Sequence, residues 1–518
     1  MRQRFPVTCV AGAATLALLL SACGGSADAS GEADTDARLT IAYPAQPPNL
    51  DPAVSTASAT VAMTINVWEP LVTRDSQDEI QPMLAESWEI SDDGRTYTFH
   101  LREGVLFHDG TDMTSEDVVA SLSRWSELSG PGQAYFSGAT WSEVDDYTVQ
   151  VELEQPSFGV LLALSGDREQ TAPIMPAEIA EAAGSDPVTE IIGTGPFTFV
   201  EWEADRHLSL DRWDDYQPVE GEPDGRAGDR TAQVAGIDYE FVTDGATRVL
   251  GLQTGEYDVA MEIPYDNAPD VLEDESLVAG SYPVILLNLY YNKAEGMFAD
   301  VEARRAVDTA LERDSIMTAA VGEDFYTLTH SMMLDTQSGQ WSSDVGADQF
   351  NQADPAAAEA MLEDLGLSGE SVRIITTQDY GESYSAGVVI QEQLRNIGLD
   401  VSLDTYDWPT FTEVRDDPSA YDLAVIPNTA KDDPGTLVFF REDFAGFTDS
   451  PDELLAEYRA SATLEEAAEH YDGLQEWFFD YLPVSKLGDA DNIYGHSPDV
   501  SVDVVGSSII WWTATVSD

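Results

Sequence analysis

Cysteine is almost missing: only Cys9 and Cys23 occur, both near the start, so no disulfide framework holds the body of the chain. Lysine is as scarce, at Lys293, Lys431 and Lys486. With arginine it makes 24 basic residues against 96 Asp and Glu, a formal charge of −72. That field repels nucleic acid and anionic lipid, and both are excluded as binding surfaces. The six histidines (His100, His108, His207, His330, His470, His496) are scattered without ligand spacing, so neither metal nor cofactor is expected. His100 alternates within a strand pattern and His108 sits in a loop, and both read as structural. His-Glu-x-x-His, Gly-x-Ser-x-Gly and a Gly-Lys phosphate loop are absent, as is a cysteine nucleophile, and no catalytic residue is assigned. Two acids suffice for a carboxylate glycosidase, so that class stays open at this point, beside a purely sensory receptor.

No apolar run is long enough to span a membrane. The stretch from Val7 to Leu20 covers only about 21 Å as a helix, against a hydrocarbon core of about 30 Å. Preceded by Arg2 and Arg4 and followed by small residues, it reads as a signal peptide over 1–22. Leu20-Ser21-Ala22-Cys23 resembles the bacterial lipoprotein box, which implies a lipid on Cys23 and an anchor at the outer face of the cell membrane. Cys9 leaves with the signal. Residues 23–37 lack large apolar side chains and read as a flexible tether reaching about 20 Å.

What is present is ample material for cores: 43% hydrophobic and 9% aromatic residues. The length calls for two or three domains. An acidic surface poor in lysine suits high salt, where screening acts over a few ångströms, and points to a halophilic or salt-tolerant source. Leu39, Ile41 and Tyr43 mark a first strand, and Tyr97, Phe99 and Leu101 alternate in another beyond the Asp93-Gly94 turn. Thr114 and Asp117 predict a capped helix with Val118, Val119, Leu122 and Trp125 on its inner face. Downstream, GVVIQEQLRNIG predicts a helix burying Val388, Ile390, Leu394 and Ile397, stopped at Gly398 before a strand through Val401 and Leu403.

SWEISDDGRTYTFHLREGVLFHDGTDMTSEDVVASL closely resembles the signature of the bacterial extracellular solute-binding proteins of ABC importers, the family with oligopeptide-, dipeptide- and nickel-binding members. IIGTGPFTFVEWE, ATRVLGLQTGEYDVA, YYNKAEGMFADVEARRAVDTALERDSI and GVVIQEQLRNIGLDVSL resemble further family motifs in the same order, covering about 39–510. The resemblance implies an α/β, two-lobed periplasmic-binding-protein-like fold with an extra inserted α+β domain and a ligand cleft between lobes. Lobe I is placed at 38–65, 190–285 and 486–518, the inserted domain at 66–189, and lobe II at 286–485. It implies capture of a peptide or other small organic solute by hinge closure, with ABC transporter permease subunits as partners. Membrane contact is expected through the lipid anchor only, and the protein as a monomer. A nickel or metal-chelate carrier is the alternative within the family.

The family's ligand loop usually reads Gly-Trp, two residues, Asp, two residues, Asp-Pro; here the region is VIPNTAKDDPGTLVFF. Aligning Asp433-Pro434 puts Ala430 where peptide binders carry the acid that pairs with the ligand amine. Asp432 or Asp433 could substitute. Asn428, Thr429 and Lys431 supply donors in the same loop, while Tyr43, Trp68 and Trp408 offer flat faces to a solute. Asp379 and Tyr380 follow the strand VRIIT, at the carboxyl end where open α/β sheets bind ligands.

Overall fold

A computed structural model describes residues 33–517 apart from 167, 169, 442, 443 and 445–449. The signal, Cys23 and most of the tether lie outside the described residues. Among these, no helix is long and apolar enough to cross a membrane.

One mixed sheet of eleven strands joins the molecule end to end. Its middle is a pair of long antiparallel strands, Val278–Tyr291 and Val484–His496, whose register runs from Val278 opposite His496 to Tyr290 opposite Val484. On one side of this pair lie Leu423–Thr429, Ser371–Thr377 and Asp400–Tyr406, the three mutually parallel. On the other lie Val259–Ala260 and Arg38–Tyr43, parallel to each other, then Gly236–Phe241 and an antiparallel edge. Both parallel segments carry near-continuous apolar strands such as Leu423 to Ile426, because helices cover them. The ladder of the central pair is irregular between Pro283 and Ile285 and between Leu287 and Asn288. A separate four-stranded antiparallel sheet (Ala85–Ile90, Thr96–Leu101, Thr148–Glu152, Thr140–Asp145) has its own core of Phe99, Leu122, Trp125 and Val149.

The local signals operate through identifiable bonds. Thr114 N–H donates to the Asp117 carboxylate (2.9 Å) at the start of the helix Ser115–Leu128, whose Val118, Leu122 and Trp125 are fully buried. Each of those side chains contributes about 1.5–3 kcal/mol by leaving water. The helix Gly381–Asn396 corrects one expectation: Ile390, Leu394 and Ile397 are buried, but Val388 is 41% exposed. Two residues from Ile390 on a helix is about 200° of rotation, so Ala386 and Gly387 complete the inner face instead.

The Gly-Thr-Gly-Pro-Phe segment is a close-packing device. A Cβ on Gly193 would stand 2.0 Å from Val67 O, and one on Gly195 2.7 Å from Asn66 O. Gly195 N–H donates to Val67 O (2.9 Å), and Thr194 Oγ1 to the buried Glu69 carboxylate (2.9 Å). His108 belongs to this joint. Its Nδ1 accepts from Gly193 N–H (3.2 Å), its Nε2 lies 2.9 Å from Gly195 O, and burial lowers its pKa to about 4, so it is a neutral packing residue.

None of the three lysines lies on the open surface: Lys293 and Lys486 are buried and Lys431 half-buried. Lys293 Nζ donates to Tyr291 O (2.9 Å) and Pro483 O (3.1 Å), and desolvation, with the charge of Arg304, lowers its pKa to about 7. An unfolded lysine titrates near ~10.4. Between those values the unfolded chain binds the extra proton, so stability should rise with pH from 7 upward, by about 1.4 kcal/mol per unit at most. Urea midpoints of the wild type and Lys293→Met from pH 7 to 9.5 read this directly: the variant should lose that slope.

Candidate functional site

The carboxyl ends of the two parallel segments form the walls of a cleft, the usual ligand position in open α/β sheets. On the first wall, Arg38–Tyr43 ends at Tyr43 and Val259–Ala260 leads directly into Glu262. Tyr43 is buried and meets Tyr239 edge to face at 6.3 Å, and burial, with the charge of Glu262, raises its phenol pKa. Glu262 holds a positive φ of 47°, a strained setting for a residue with a Cβ. Its own surface is only half-buried, yet protein surrounds it closely enough to raise its pKa by desolvation.

On the second wall, Ser371–Thr377 turns through Asp379 and Tyr380 into the helix Gly381–Asn396. Asp379 Oδ2 accepts Trp408 N–H (2.6 Å), and Tyr380 meets the Trp408 ring edge to face at 4.9 Å. Trp408 in turn stacks on Phe411 at 5.3 Å and 14°. The structure therefore brings Asp379, Tyr380 and Trp408 together, with Tyr380 still 40% exposed. Burial raises the Tyr380 phenol, and the charges of Glu262 and Glu382 raise it further.

The loop around Ala430 is built differently from the expectation for its acids. Asp432 accepts from Arg74 Nη1 (3.4 Å), from the Arg168 guanidinium and from Arg168 N–H (3.3 Å), with all three side chains about 95% buried. Asp433 accepts from the hydroxyls of Tyr135 and Tyr458 (2.6 Å for the latter) and from Gly435 N–H (2.9 Å). Neither carboxylate is left over for a ligand amine. Both instead tie the loop to Arg74, Tyr135 and Arg168, and Phe158 from the same side packs against Tyr458 at 5.1 Å and Trp341 at 6.3 Å. Ala430 is itself buried, its N–H donating to Val284 O (2.8 Å).

The other expected residues spread out. Asn428 Oδ1 accepts from Asn288 Nδ2 (3.0 Å) and Tyr290 OH (2.7 Å), which fixes its amide. Thr429 is exposed, and Lys431 gives its carbonyl to Gln337 Nε2 (2.8 Å). Trp68 lies in the first core, its indole donating to Ile192 O (2.8 Å), on the rim of a cavity of about 20 Å³ shared with Glu69, Thr73, Arg226 and Arg230. That is room for about one water, far below a solute.

Sequence reading did not single out Glu262 or Glu382. Among 96 acids no single glutamate stands out. The usable signal was position: Glu382 lies three residues beyond Asp379 after the same strand, and Glu262 two residues beyond another.

A family model described as bacterial extracellular solute-binding proteins, family 5 Middle, matches residues 79–447. A probable peptide ABC transporter periplasmic-binding protein of Sinorhizobium fredii is 32% identical over 371 residues, covering 69% of this chain and 68% of that protein. The dipeptide-binding protein of Escherichia coli is 28% identical over 398 residues, 70% of each chain. Among solved structures, the periplasmic binding protein DppA of Helicobacter pylori in complex with the peptide STSA superposes with a TM-score of 0.76 at 22% identity, over 93% of this chain and 99% of that one. At that identity the likeness establishes the two-lobed α/β fold and nothing finer.

Proposed function

Because this chain belongs to family 5 of the bacterial extracellular solute-binding proteins, we propose that it captures a peptide or another small organic solute between two lobes and hands it to an ABC permease. It is a binding protein and not an enzyme, like its relatives. The observation that carries the reading is the pair of crossing strands, Val278–Tyr291 and Val484–His496, shared by two parallel segments whose carboxyl ends oppose each other. Two walls on one shared spine can close on a solute and open to release it. The lobe boundaries at 38–65, 190–285 and 486–518 against 286–485, with 66–189 inserted, are part of this proposal. Small-angle scattering tests it: adding a casein peptide digest should contract the particle, and an unchanged radius of gyration with every solute pool tried would oppose it.

The proposal includes a lipid anchor on Cys23, supported by Leu20-Ser21-Ala22-Cys23 and the acidic tether that follows. Cys23→Ala expressed in a bacterial host should leave the detergent phase and appear in the soluble fraction. Retention equal to the wild type would remove the anchor from the account.

It also includes tolerance of high salt, supported by −72 formal charge and the absence of an exposed lysine. Self-repulsion of the surface acids should make the melting temperature climb with added NaCl and then level off as screening saturates. A flat profile from 0.05 to ~2 M salt would show that the acids are balanced locally.

A further inference from the structure

One joint crosses the molecule without a covalent link. The segment 286–485 is tied to the rest of the chain only through the strands Val278–Tyr291 and Val484–His496. Far from both in sequence, its loop at Asp432 and Asp433 meets Arg74, Tyr135 and Arg168 of the 66–189 segment. The joint extends beyond the carboxylates: Phe158 N–H donates to Ser461 O (2.7 Å), and a Cβ on Gly94 would stand 3.9 Å from Ala462 Cβ.

Each half is held in shape by its own side. Arg74 donates to Ser165 Oγ (3.0 Å) and Leu162 O (3.1 Å), and Arg168 to Ser507 Oγ (3.0 Å) in the turn of the hairpin Val500–Val505, Ser508–Val516. Opposite them, Trp341 Nε1 donates to Asp432 O (3.3 Å), Gln337 Nε2 to Lys431 O (2.8 Å), and Tyr458 OH to the Asp433 carboxylate (2.6 Å). Parting the halves leaves all of these bonds in place, so both remain preformed to meet again. Among the described residues, only Phe158 and Leu162 reach from the 66–189 side into the buried core around Trp341 and Tyr458. The rest of the joint is ionic and polar. Ions that separate regain their hydration, which offsets most of the attraction lost, so such a joint opens at a lower net cost than one made of apolar packing.

We infer that this joint is a latch: Asp432 and Asp433 engage Arg74, Arg168 and Tyr135 as the lobes close and release them as the lobes open. Closure over a solute is then completed by the chain's own side chains, an inference that rests on the solute-binding reading above. The two aspartates are positioning residues, which hold the cleft shut without touching what lies in it.

The test is hydrogen exchange of the full chain, read by mass spectrometry, with and without a disulfide across the joint. Cβ atoms about 3.5–4.5 Å apart can be bridged, so Gly94→Cys with Ala462→Cys spans it and leaves every buried charge intact. Gly94 holds a positive φ of 68°, so the oxidised variant is compared with its own reduced form. In the wild type the Phe158 amide should be protected about tenfold less, or lower still, than the amides of Leu423 to Ile426, because opening of the latch frees it without unfolding that strand. Oxidation of the cysteine pair should raise Phe158 protection about tenfold or more, and dithiothreitol should reverse the change. Wild-type protection equal to that of Leu423 to Ile426, protection unmoved by the disulfide, or failure of the pair to oxidise overturns the latch and leaves the solute-binding reading standing. The same samples are then mixed with a casein peptide digest, and capture is read by native mass spectrometry. Locking the joint before the digest is added should cut capture about tenfold or more, with recovery on reduction. Undiminished capture by the locked form overturns the latch, whereas an opening joint in a wild type that captures nothing overturns the solute-binding reading instead.

Discussion

Asp432→Ala should lower the stability of the folded chain by about 3–5 kcal/mol, because it leaves the buried guanidinium groups of Arg74 and Arg168 without their shared carboxylate. Arg74 keeps Ser165 Oγ (3.0 Å) and Leu162 O (3.1 Å), and Arg168 keeps Ser507 Oγ (3.0 Å), but these are neutral acceptors. The loss is therefore the cost of uncompensated buried charge more than of hydrogen bonds. A urea titration should show a lower midpoint, and the deficit should persist in 1 M NaCl, since mobile ions do not reach a pair this enclosed. A loss below about 1 kcal/mol, or one erased by salt, would place the pair among ordinary surface bridges. Because the same carboxylate joins the Leu423–Thr429 loop to the segment carrying Arg74 and Arg168, the variant should also scatter as a more open particle.

Gly193→Ala is the second large effect. The added methyl would stand 2.0 Å from Val67 O and 2.7 Å from Trp68 Cδ1, and the nearer of these is backbone that cannot turn aside. Relief requires the 66–68 segment to move, which breaks Gly195 N–H to Val67 O and Phe197 N–H to Asn66 O. Overpacking of this kind costs about 3 kcal/mol. The corresponding change at Gly184, whose surroundings are open, tests only its positive φ of 55° and should cost less. Thermal unfolding of the two variants side by side decides the matter, and equal losses would mean that the close approach at Gly193 relaxes freely.

The readable parts of this chain were those where one residue type has one physical use. Thr114 with Asp117 could only cap a helix, the alternation of Tyr97, Phe99 and Leu101 could only make a half-buried strand, and both are found as read. The Gly-Thr-Gly-Pro-Phe segment was legible as a motif, but its cause, contact of two glycines with the 66–67 backbone, required the fold. The acids behaved in the opposite way. Asp432 and Asp433 drew attention by lying next to Ala430, yet their partners Arg74, Tyr135, Arg168 and Tyr458 are distant in sequence and take both carboxylates. Asp379 and Tyr380, read from the end of VRIIT, are the expected residues that the structure does bring together with Trp408.

The most direct test of the central claim is a native mass spectrum of the protein purified from its own host without added ligand. The account predicts one small organic solute bound per chain and released on denaturation. A chain that shows only its own mass, and still does so after incubation with an extract of its host's growth medium, would contradict it.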